Sequence, residues 1–378
     1  MGKITTAYIG LGSNLGSREE SIKSALTMLA EADNTTVTRV SKLIETAPLG
    51  DAGQPEYLNG VAEVKTSLSA EALHKMLIDI ETSLGRVREK KWSPRIIDMD
   101  LLLFGGEIIN SPDLTVPHPQ MHLRSFVLKG LCELNGELLH PVLKESMNKL
   151  AQRLCGGDFM LNPTLPQLVS VAGIIGVGKT TLTKKLSNLL DCKFILEPYD
   201  ANPFLPDVYA GKKELALDSQ LFFLTGRIEQ LNHNTLSAGH IAVSDYIFYK
   251  ELIYADLTLT AEQLKLYKRI YQPLVSKIAE PVLVIYLQDS PRSCLERIHR
   301  RNRPYEQKIK PQFLEALSRG YDRLFADWKS SPLIGLSISD FNYMDDANVE
   351  RLANQVKSYV AVQTSSVIPT KAGIQLFL

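Results

Sequence analysis

The chain has 378 residues, enough for two domains of ordinary size. Lysine plus arginine number 42 and aspartate plus glutamate 42, so the net charge is zero, with 44% hydrophobic and 22% charged residues. This composition excludes wholesale disorder and a collagen-like repeat, and its balance argues against a general nucleic-acid coat, which needs a broad positive surface. Cys132, Cys155, Cys192 and Cys294 stand far apart with no C-x-x-C pair, which suits a reducing cytosol and excludes a disulfide scaffold.

The opening residues lack the long apolar run of a signal peptide. A strand over Thr6–Gly10 leads into Gly10-Leu-Gly12-Ser13-Asn14-Leu-Gly16, whose third glycine comes one residue late for a dinucleotide fingerprint. Alone, that run reads as a tight turn. Periodicity predicts helices over Glu19–Glu31 and Ala70–Leu84, the second capped by Ser69, and strands over Thr36–Thr46, Tyr57–Thr66 and Ile97–Phe104. The order β-α-β-β-α-β predicts an α+β, ferredoxin-like sheet with helices on one face. The Gly-, Pro- and Asn-rich stretch Cys155–Pro166 reads as a linker. Phe159–Val177 carries no charge, but Pro163, Pro166, Gly173 and Gly176 argue against a spanning helix. Beyond it, the apolar strands Leu168–Ala172, Ile241–Ser244 and Val282–Leu287 alternate with long helical patterns, which predicts buried parallel strands in a doubly wound α/β domain. The expected division is a first domain over 1–158, a linker over 159–167, a second domain over 168–362 and a frayed tail over 363–378.

The first half carries Gly85-Arg86-Val-Arg88-Glu-Lys-Lys-Trp92-Ser-Pro94-Arg95-Ile-Ile-Asp98-Met-Asp100. Alternation along a strand puts Asp98 and Asp100 on one face. Two carboxylates so placed repel unless cations sit between them, and they suit Mg²⁺ held against phosphate oxygens. Arg86, Arg88, Lys90, Lys91 and Arg95 supply positive charge just upstream, and Trp92 can cover the site. The block resembles the 6-hydroxymethyl-7,8-dihydropterin pyrophosphokinase family, whose signature R-W-x-P-R-x-x-D-x-D appears here with Lys91 for the first arginine. The likeness covers about residues 4 to 155 and includes Gly12-Ser13-Asn14, Thr46-Ala-Pro48-Leu49-Gly50, Gln54-Pro-Glu-Tyr57-Leu-Asn59, Val116-Pro-His118-Pro and Arg124-Ser-Phe126.

That resemblance implies transfer of a pyrophosphoryl group from ATP to the pterin hydroxymethyl, with release of AMP, in folate biosynthesis. It implies two Mg²⁺ ions on Asp98 and Asp100, and Arg86 and Arg95 as catalytic residues at the breaking α/β bridge. Glu81 and His118 would line the nucleotide pocket. Asn59 and the backbone around Thr46, Pro48 and Leu49 would bind the pterin edge, with Tyr57 and Phe126 stacking on its faces. On pattern alone Tyr57 and Phe126 fit core packing equally well, and His118 fits a surface histidine. The Arg88–Trp92 loop looks one residue shorter than in familiar members, which predicts altered closure of a lid.

In the second half, Gly173-Ile-Ile-Gly176-Val-Gly178-Lys179-Thr180 fits G-x-x-x-x-G-K-[ST] between a strand and a predicted helix over Thr181–Leu190. Backbone N–H groups of such a loop converge on phosphate and the helix N-terminus adds positive charge. The ATP-binding residues expected here are Gly173, Gly176, Gly178, Lys179, Thr180 and Thr181, with one Mg²⁺ on Thr180. Further on stand Ile195-Leu-Glu197-Pro198, Asn202-Pro-Phe-Leu, Tyr209, Gln220-Leu-Phe-Phe-Leu-Thr-Gly-Arg227, Ser244-Asp245-Tyr246 and the arginine-rich Glu296–Glu306. Together these resemble the deoxynucleoside kinase family over roughly Leu168 to Val360.

The resemblance implies Glu197 as general base on the 5′-hydroxyl, Gln220 on the nucleobase edge, and Tyr209 with Glu306 on the 3′-hydroxyl. It also implies Arg227 and Asp245 in the nucleoside site, Arg301 and Arg303 over the transferring phosphoryl group, and Arg297 on ATP. On pattern alone Gln220 and Arg227 fit the polar side of a helix equally well. One residue departs from the family: many relatives have arginine after the acidic residue at the strand end, where this chain has Tyr246. A tyrosine supplies no fixed positive charge, so Arg227 or the lid takes over, or turnover is slower.

The expectation is a bifunctional cytoplasmic transferase that uses MgATP twice on small-molecule substrates, with no nucleic acid or membrane as partner. A homodimer through the second domain is implied by the family. The competing reading makes the second domain a nucleotide-binding regulatory or dimerisation module. Gln220 offers both a donor and an acceptor, and so leaves adenine, guanine and cytosine open.

Overall fold

The computed structural model describes residues 3–49, 53–86 and 94–362. Gly50, the Arg88–Trp92 loop with its predicted closure, and the tail Gln363–Leu378 lie outside the described residues. The first half runs β1 (Thr5–Ser13), α1 (Arg18–Glu31), β2 (Thr35–Val40), β3 (Ile44–Thr46), β4 (Tyr57–Thr66), α2 (Ala70–Ser83) and β5 (Asp98–Phe104). A small hairpin of β6 (Ile109–Asn110) and β7 (Thr115–Val116) follows, then α3 (Ser125–Asn135) and α4 (Met147–Arg153). The sheet is antiparallel in the order β2-β4-β1-β5, with β3 also paired to β4. Ser69 caps α2 as expected, accepting from the Ala72 amide.

Three expectations change. Thr36–Thr46 is two strands: the Ser41 hydroxyl accepts from the Val61 amide at 2.9 Å, a bond that replaces a strand neighbour's carbonyl and breaks the run. The glycine run is no turn, because Gly10 and Gly12 lie inside β1. Gly12 faces Asn59 on one side and Asp98 on the other, and a Cβ there would sit 2.9 Å from the Asn59 side-chain oxygen. Helices also cover both faces of the sheet. Ala7, Ile9, Leu11, Ala62 and Val64 pack under α1 and α2, while Tyr8, Val61, Leu102 and Leu103 pack under α3 and α4. Burial on both faces hides the alternation that one wet face would have left in β1.

The second half runs β8 (Gln167–Ala172), α5 (Lys179–Leu189), β9 (Lys193–Ile195), α6 (Leu205–Tyr209), α7 (Ala216–Leu231), β10 (Ile241–Ser244), α8 (Lys250–Thr258) and α9 (Ala261–Val275). It ends with β11 (Leu283–Gln288), α10 (Pro291–Arg301), α11 (Pro311–Ala326), β12 (Leu333–Ser337) and α12 (Asp346–Lys357). Every neighbouring pair is parallel, in the order β9-β10-β8-β11-β12. Chain order switches direction at β8, and the crevice such a switch opens lies at the carboxyl ends of β8, β9 and β10. Among the described residues no helix is long and apolar enough to cross a membrane.

The two halves share one apolar cluster, which runs from Tyr8 to Val360. The end of α12 sits against the first half. His122 Nε2 donates to the Ser358 carbonyl at 2.8 Å, and the ring of Tyr359 meets His122 edge-on at 5.0 Å. The Arg153 guanidinium donates to Glu145 at 2.9 Å and to Gln355 at 3.0 Å, so a charge that burial would penalise is paired. Even the linker is tied down, since the Phe159 amide donates to the Leu123 carbonyl at 2.9 Å.

Burial holds the imidazoles of His122 and His140 neutral, with pKa values pushed down to about 4 and about 3. An unfolded chain binds those protons near pH 6.5, so stability is fully present above that value and is lost as pH falls toward 4. For His122 the loss at pH 5 is about 2 kcal/mol. Unfolding midpoints at pH 7 and pH 5 should therefore differ less in His122→Gln, which keeps a donor for Ser358 but does not titrate.

Candidate active sites

The first cavity, of about 490 Å³, opens over the ends of β1, β4 and β5. Asp98 and Asp100 stand two apart on β5, opposite Gly12 and Gly10 of β1, and both reach the cavity. Arg86 Nη1 lies 2.7 Å from one Asp98 oxygen and Arg95 Nη1 2.8 Å from the other. Arg124 Nη1 approaches Asp100 at 3.4 Å, with His118 Nε2 at 4.0 Å. Burial and the neighbouring Asp100 push the Asp98 carboxyl up, against the pull of Arg95, Arg86 and Arg124. Burial holds the His118 imidazole low.

The supports are local. Glu81, on the last turn of α2, accepts from Arg86 and from the Met99 amide at 2.7 Å, so it ties the arginine to the aspartate strand. Buried Asn14 accepts from the Arg95 amide at 2.7 Å, while its own amide donates to the Arg95 carbonyl at 3.1 Å. Asn59 donates to the Thr46 hydroxyl at 2.7 Å. Tyr57, Asn59, Phe126, Thr46 and Leu49 line the same cavity, whereas Pro48 stays off its wall. Tyr57 and Phe126 are thus both cavity residues, Phe126 packing against the core as well, and His118 is half-buried. Arg124 and Gln54, quoted in the motifs but given no role, also line the cavity, as does His74, which sequence reasoning passed over. The pairing of Arg124 with Asp100 is a contact between segments that spacing does not reveal.

The second cavity, of about 240 Å³, lies over the carboxyl ends of β8, β9 and β10. Gly176 has φ +83°, and a Cβ there would meet the Cys294 carbonyl at 2.6 Å, so only glycine lets the loop pass. Gly176, Gly178, Lys179, Thr180 and Thr181 reach the cavity; Gly173 does not, and packs instead against the Leu287 carbonyl. Lys179 Nζ donates to the Ile174 carbonyl at 2.9 Å, and burial brings its pKa down to about 8.

Asp245, expected at the nucleoside, lines the cavity and ties the loop to the next strand. Its carboxylate accepts from the Thr180 hydroxyl at 2.6 Å and from the Glu197 amide at 2.9 Å. Glu197 is held by two cations: Lys250 Nζ donates to both its oxygens at 2.7 and 2.6 Å, and Arg227 bridges it to Glu251. Arg227, also expected at the nucleoside, lines the cavity with both of its terminal nitrogens on carboxylates. Tyr246 is fully buried, donates to Gln230 at 2.6 Å and does not line the cavity.

Arg297 donates to the Gly176 carbonyl at 2.7 Å, and Arg301 to Glu306 at 2.6 Å. Arg303 lies over the ring of Tyr199 at 4.1 Å. These three arginines line the cavity with Tyr209, Gln220 and Glu306, while Arg292 and Arg300 point to solvent. Tyr305 stacks on Tyr209 at 6.3 Å, and Gln220 donates to the Thr258 hydroxyl at 3.3 Å. Lys250, Glu251, Tyr199 and Tyr305 were missed in the sequence. The signal for Lys250 was its place four residues beyond the anomalous Tyr246.

Among the described residues no three His, Cys, Asp or Glu side chains group to hold a metal. One or two carboxylates and a hydroxyl fit Mg²⁺ that arrives on a polyphosphate, because this ion keeps waters and phosphate oxygens as its other ligands. Two cavities walled by carboxylates and clustered cations, one with a phosphate-binding loop, define phosphate-transferring enzymes.

Comparison with known proteins agrees. Residues 8–136 match the family model of 7,8-dihydro-6-hydroxymethylpterin-pyrophosphokinase, and residues 169–361 match that of deoxynucleoside kinase. The 2-amino-4-hydroxy-6-hydroxymethyldihydropteridine pyrophosphokinase of Bacillus subtilis is 46% identical over 128 residues, 34% of this chain and 77% of that protein. The deoxyguanosine kinase of the same organism is 33% identical over 201 residues, 51% of this chain and 97% of that protein. A structure of deoxyadenosine kinase from M. mycoides aligns at 22% identity with a TM-score of 0.44, covering 50% of this chain and 98% of that one. The chain therefore belongs to both families, with a pyrophosphokinase domain in its first half and a deoxynucleoside kinase domain in its second.

Gly176→Ala should cost about 1–3 kcal/mol of stability in the second domain, from backbone strain and the collision with Cys294. Calorimetric titration with MgATP should then lose one binding event and keep the other.

Proposed function

We propose that the first domain transfers pyrophosphate from ATP to 6-hydroxymethyl-7,8-dihydropterin, releasing AMP, and that the second phosphorylates the 5′-hydroxyl of a deoxynucleoside. The reading of the first domain rests on Asp98 and Asp100 sharing one cavity with Arg86, Arg95, Tyr57, Asn59 and Phe126. A flat heterocycle between Tyr57 and Phe126, its edge on Asn59 and the Thr46–Leu49 backbone, leaves its hydroxymethyl toward the aspartates. The pterin alcohol attacks the β-phosphorus, that bond forms as the α/β bridge breaks, AMP leaves with the electron pair, and the hydroxyl proton passes to water. Arg86 and Arg95 meet the negative charge that builds there, with Glu81 and Asn14 holding them. Magnesium, when bound through Asp98 and Asp100, supplies charge neutralisation on the phosphates; two ions are assigned here. Glu81 and His118 line the ATP end. The strand order of the sheet supports the ferredoxin-like fold.

In the second domain Glu197 takes the proton of the 5′-hydroxyl. Lys179 and the loop amides hold the triphosphate, and Arg301 and Arg303 meet the transferring phosphoryl group, with Arg297 on ATP. Thr180, oriented by Asp245, holds the single Mg²⁺. Gln220 reads the base, and Tyr209 with Glu306 takes the 3′-hydroxyl. The likeness to a deoxyguanosine kinase makes deoxyguanosine the first substrate to test. Division near residues 158 and 168, a cytoplasmic location and a dimer through the second domain belong to the same reading.

Purified protein with ATP and the hydroxymethyl pterin should release AMP, and with a deoxynucleoside should release ADP. Asp98→Asn and Asp100→Asn should each lower the AMP-forming kcat by about 10²–10³-fold and leave ADP formation intact. Glu197→Gln should do the converse, by about 10²–10⁴-fold. Formation of ADP alone refutes the first assignment. ATP binding without any nucleoside-dependent ADP makes the second domain a regulatory module.

A further inference from the structure

The second site has a charge that neither family signature accounts for. The family resemblance places an arginine where this chain has Tyr246, whose side chain is turned away into the core and held by Gln230. Arg227 lines the cavity too, but two carboxylates, Glu197 and Glu251, hold both of its terminal nitrogens. Lys250 also reaches the cavity, from the first residue of α8, and is held by Glu197 alone.

Three observations set Lys250 apart from an ordinary buried ion pair. Its side chain is 4% exposed, yet it opens on the nucleotide cavity rather than on the core. It sits at a helix N-terminus, where the helix dipole disfavours a cation, so local structure gives no reason for a lysine there. An ammonium has three donors, and the Glu197 carboxylate takes two of them while Tyr254 lies 5.0 Å from Nζ. The nitrogen is therefore fixed beside the general base, with a donor in hand.

We propose that Lys250 is a catalytic residue of deoxynucleoside phosphorylation in this chain, supplying against the transferring phosphoryl group the positive charge that Tyr246 does not carry. The inference rests on the kinase reading of the second domain and on Glu197 as its base. As the 5′-hydroxyl proton passes to Glu197, the bond from the 5′-oxygen to the γ-phosphorus forms. The bond from that phosphorus to the β,γ-bridging oxygen breaks, and ADP leaves with the electron pair. Protonation removes the negative charge that held Lys250. The ammonium, itself unchanged in protonation, turns its donors to the phosphoryl oxygens as their charge grows.

The test uses the full chain and compares wild type with Lys250→Met, Lys250→Gln and Lys250→Arg, each assayed with the four deoxynucleosides. The thermal midpoint and AMP formation by the same preparations report intact folding. Both neutral variants should lose about 10²–10³-fold in kcat, as removal of one transition-state donor does, with the nucleoside KM within about threefold of wild type. Lys250→Arg should recover at least about tenfold over Lys250→Met. The proposal is overturned if a neutral variant keeps more than a tenth of wild-type kcat, if its loss lies wholly in KM, or if arginine restores nothing. Wild type that makes no nucleotide from any of the four overturns the kinase reading itself, and is told apart because no variant is needed to see it.

Discussion

Charge neutralisation inside the two cavities is the constraint from which both sites follow. A polyphosphate brings several negative charges out of bulk water, and the protein must meet them with cations fixed in place beforehand. Such cations would repel one another and cost solvation if left alone, so most are moored to a carboxylate. Arg86 and Arg95 share Asp98, Arg227 and Lys250 share Glu197, and Arg301 and Arg303 share Glu306. On the proposed function, Asp98 would also serve as a metal ligand in one domain and Glu197 as proton acceptor in the other.

The two domains reach this arrangement by different backbone devices. In the first, an antiparallel sheet brings Gly12 beside Asp98, and the lack of a side chain there leaves room for Asn59 at the cavity floor. In the second, three parallel strands end together, so that a glycine loop, Glu197 and Asp245 converge without any long-range turn chemistry.

Residues whose role depends on short spacing were legible in the sequence. Asp98 and Asp100 are two apart on a strand, the glycines of the phosphate loop precede a helix, and Ser69 caps one. Residues whose role depends on contacts between distant segments were not. Asp245 belongs to Thr180 and to the Glu197 amide, Arg124 to Asp100, and Lys250 to Glu197; none of these pairings leaves a periodicity to read. The break at Ser41 escaped notice because one hydroxyl, not a proline or glycine, ends the strand. The second helical layer was missed because its packing removes the wet face that strand alternation needs.

The apolar seam joining α12 to α3 and α4 makes the two catalytic units inseparable as material objects. Proteolysis or gene splitting at residues 159–167 would bare Leu154, Val356, Tyr359 and Val360 on fresh surfaces and leave Arg153 short of Gln355. Fragments cut there would tend to clump or to re-mate rather than diffuse apart. A cell that makes this chain is therefore bound to a fixed one-to-one stoichiometry between its pyrophosphokinase domain and its deoxynucleoside kinase domain.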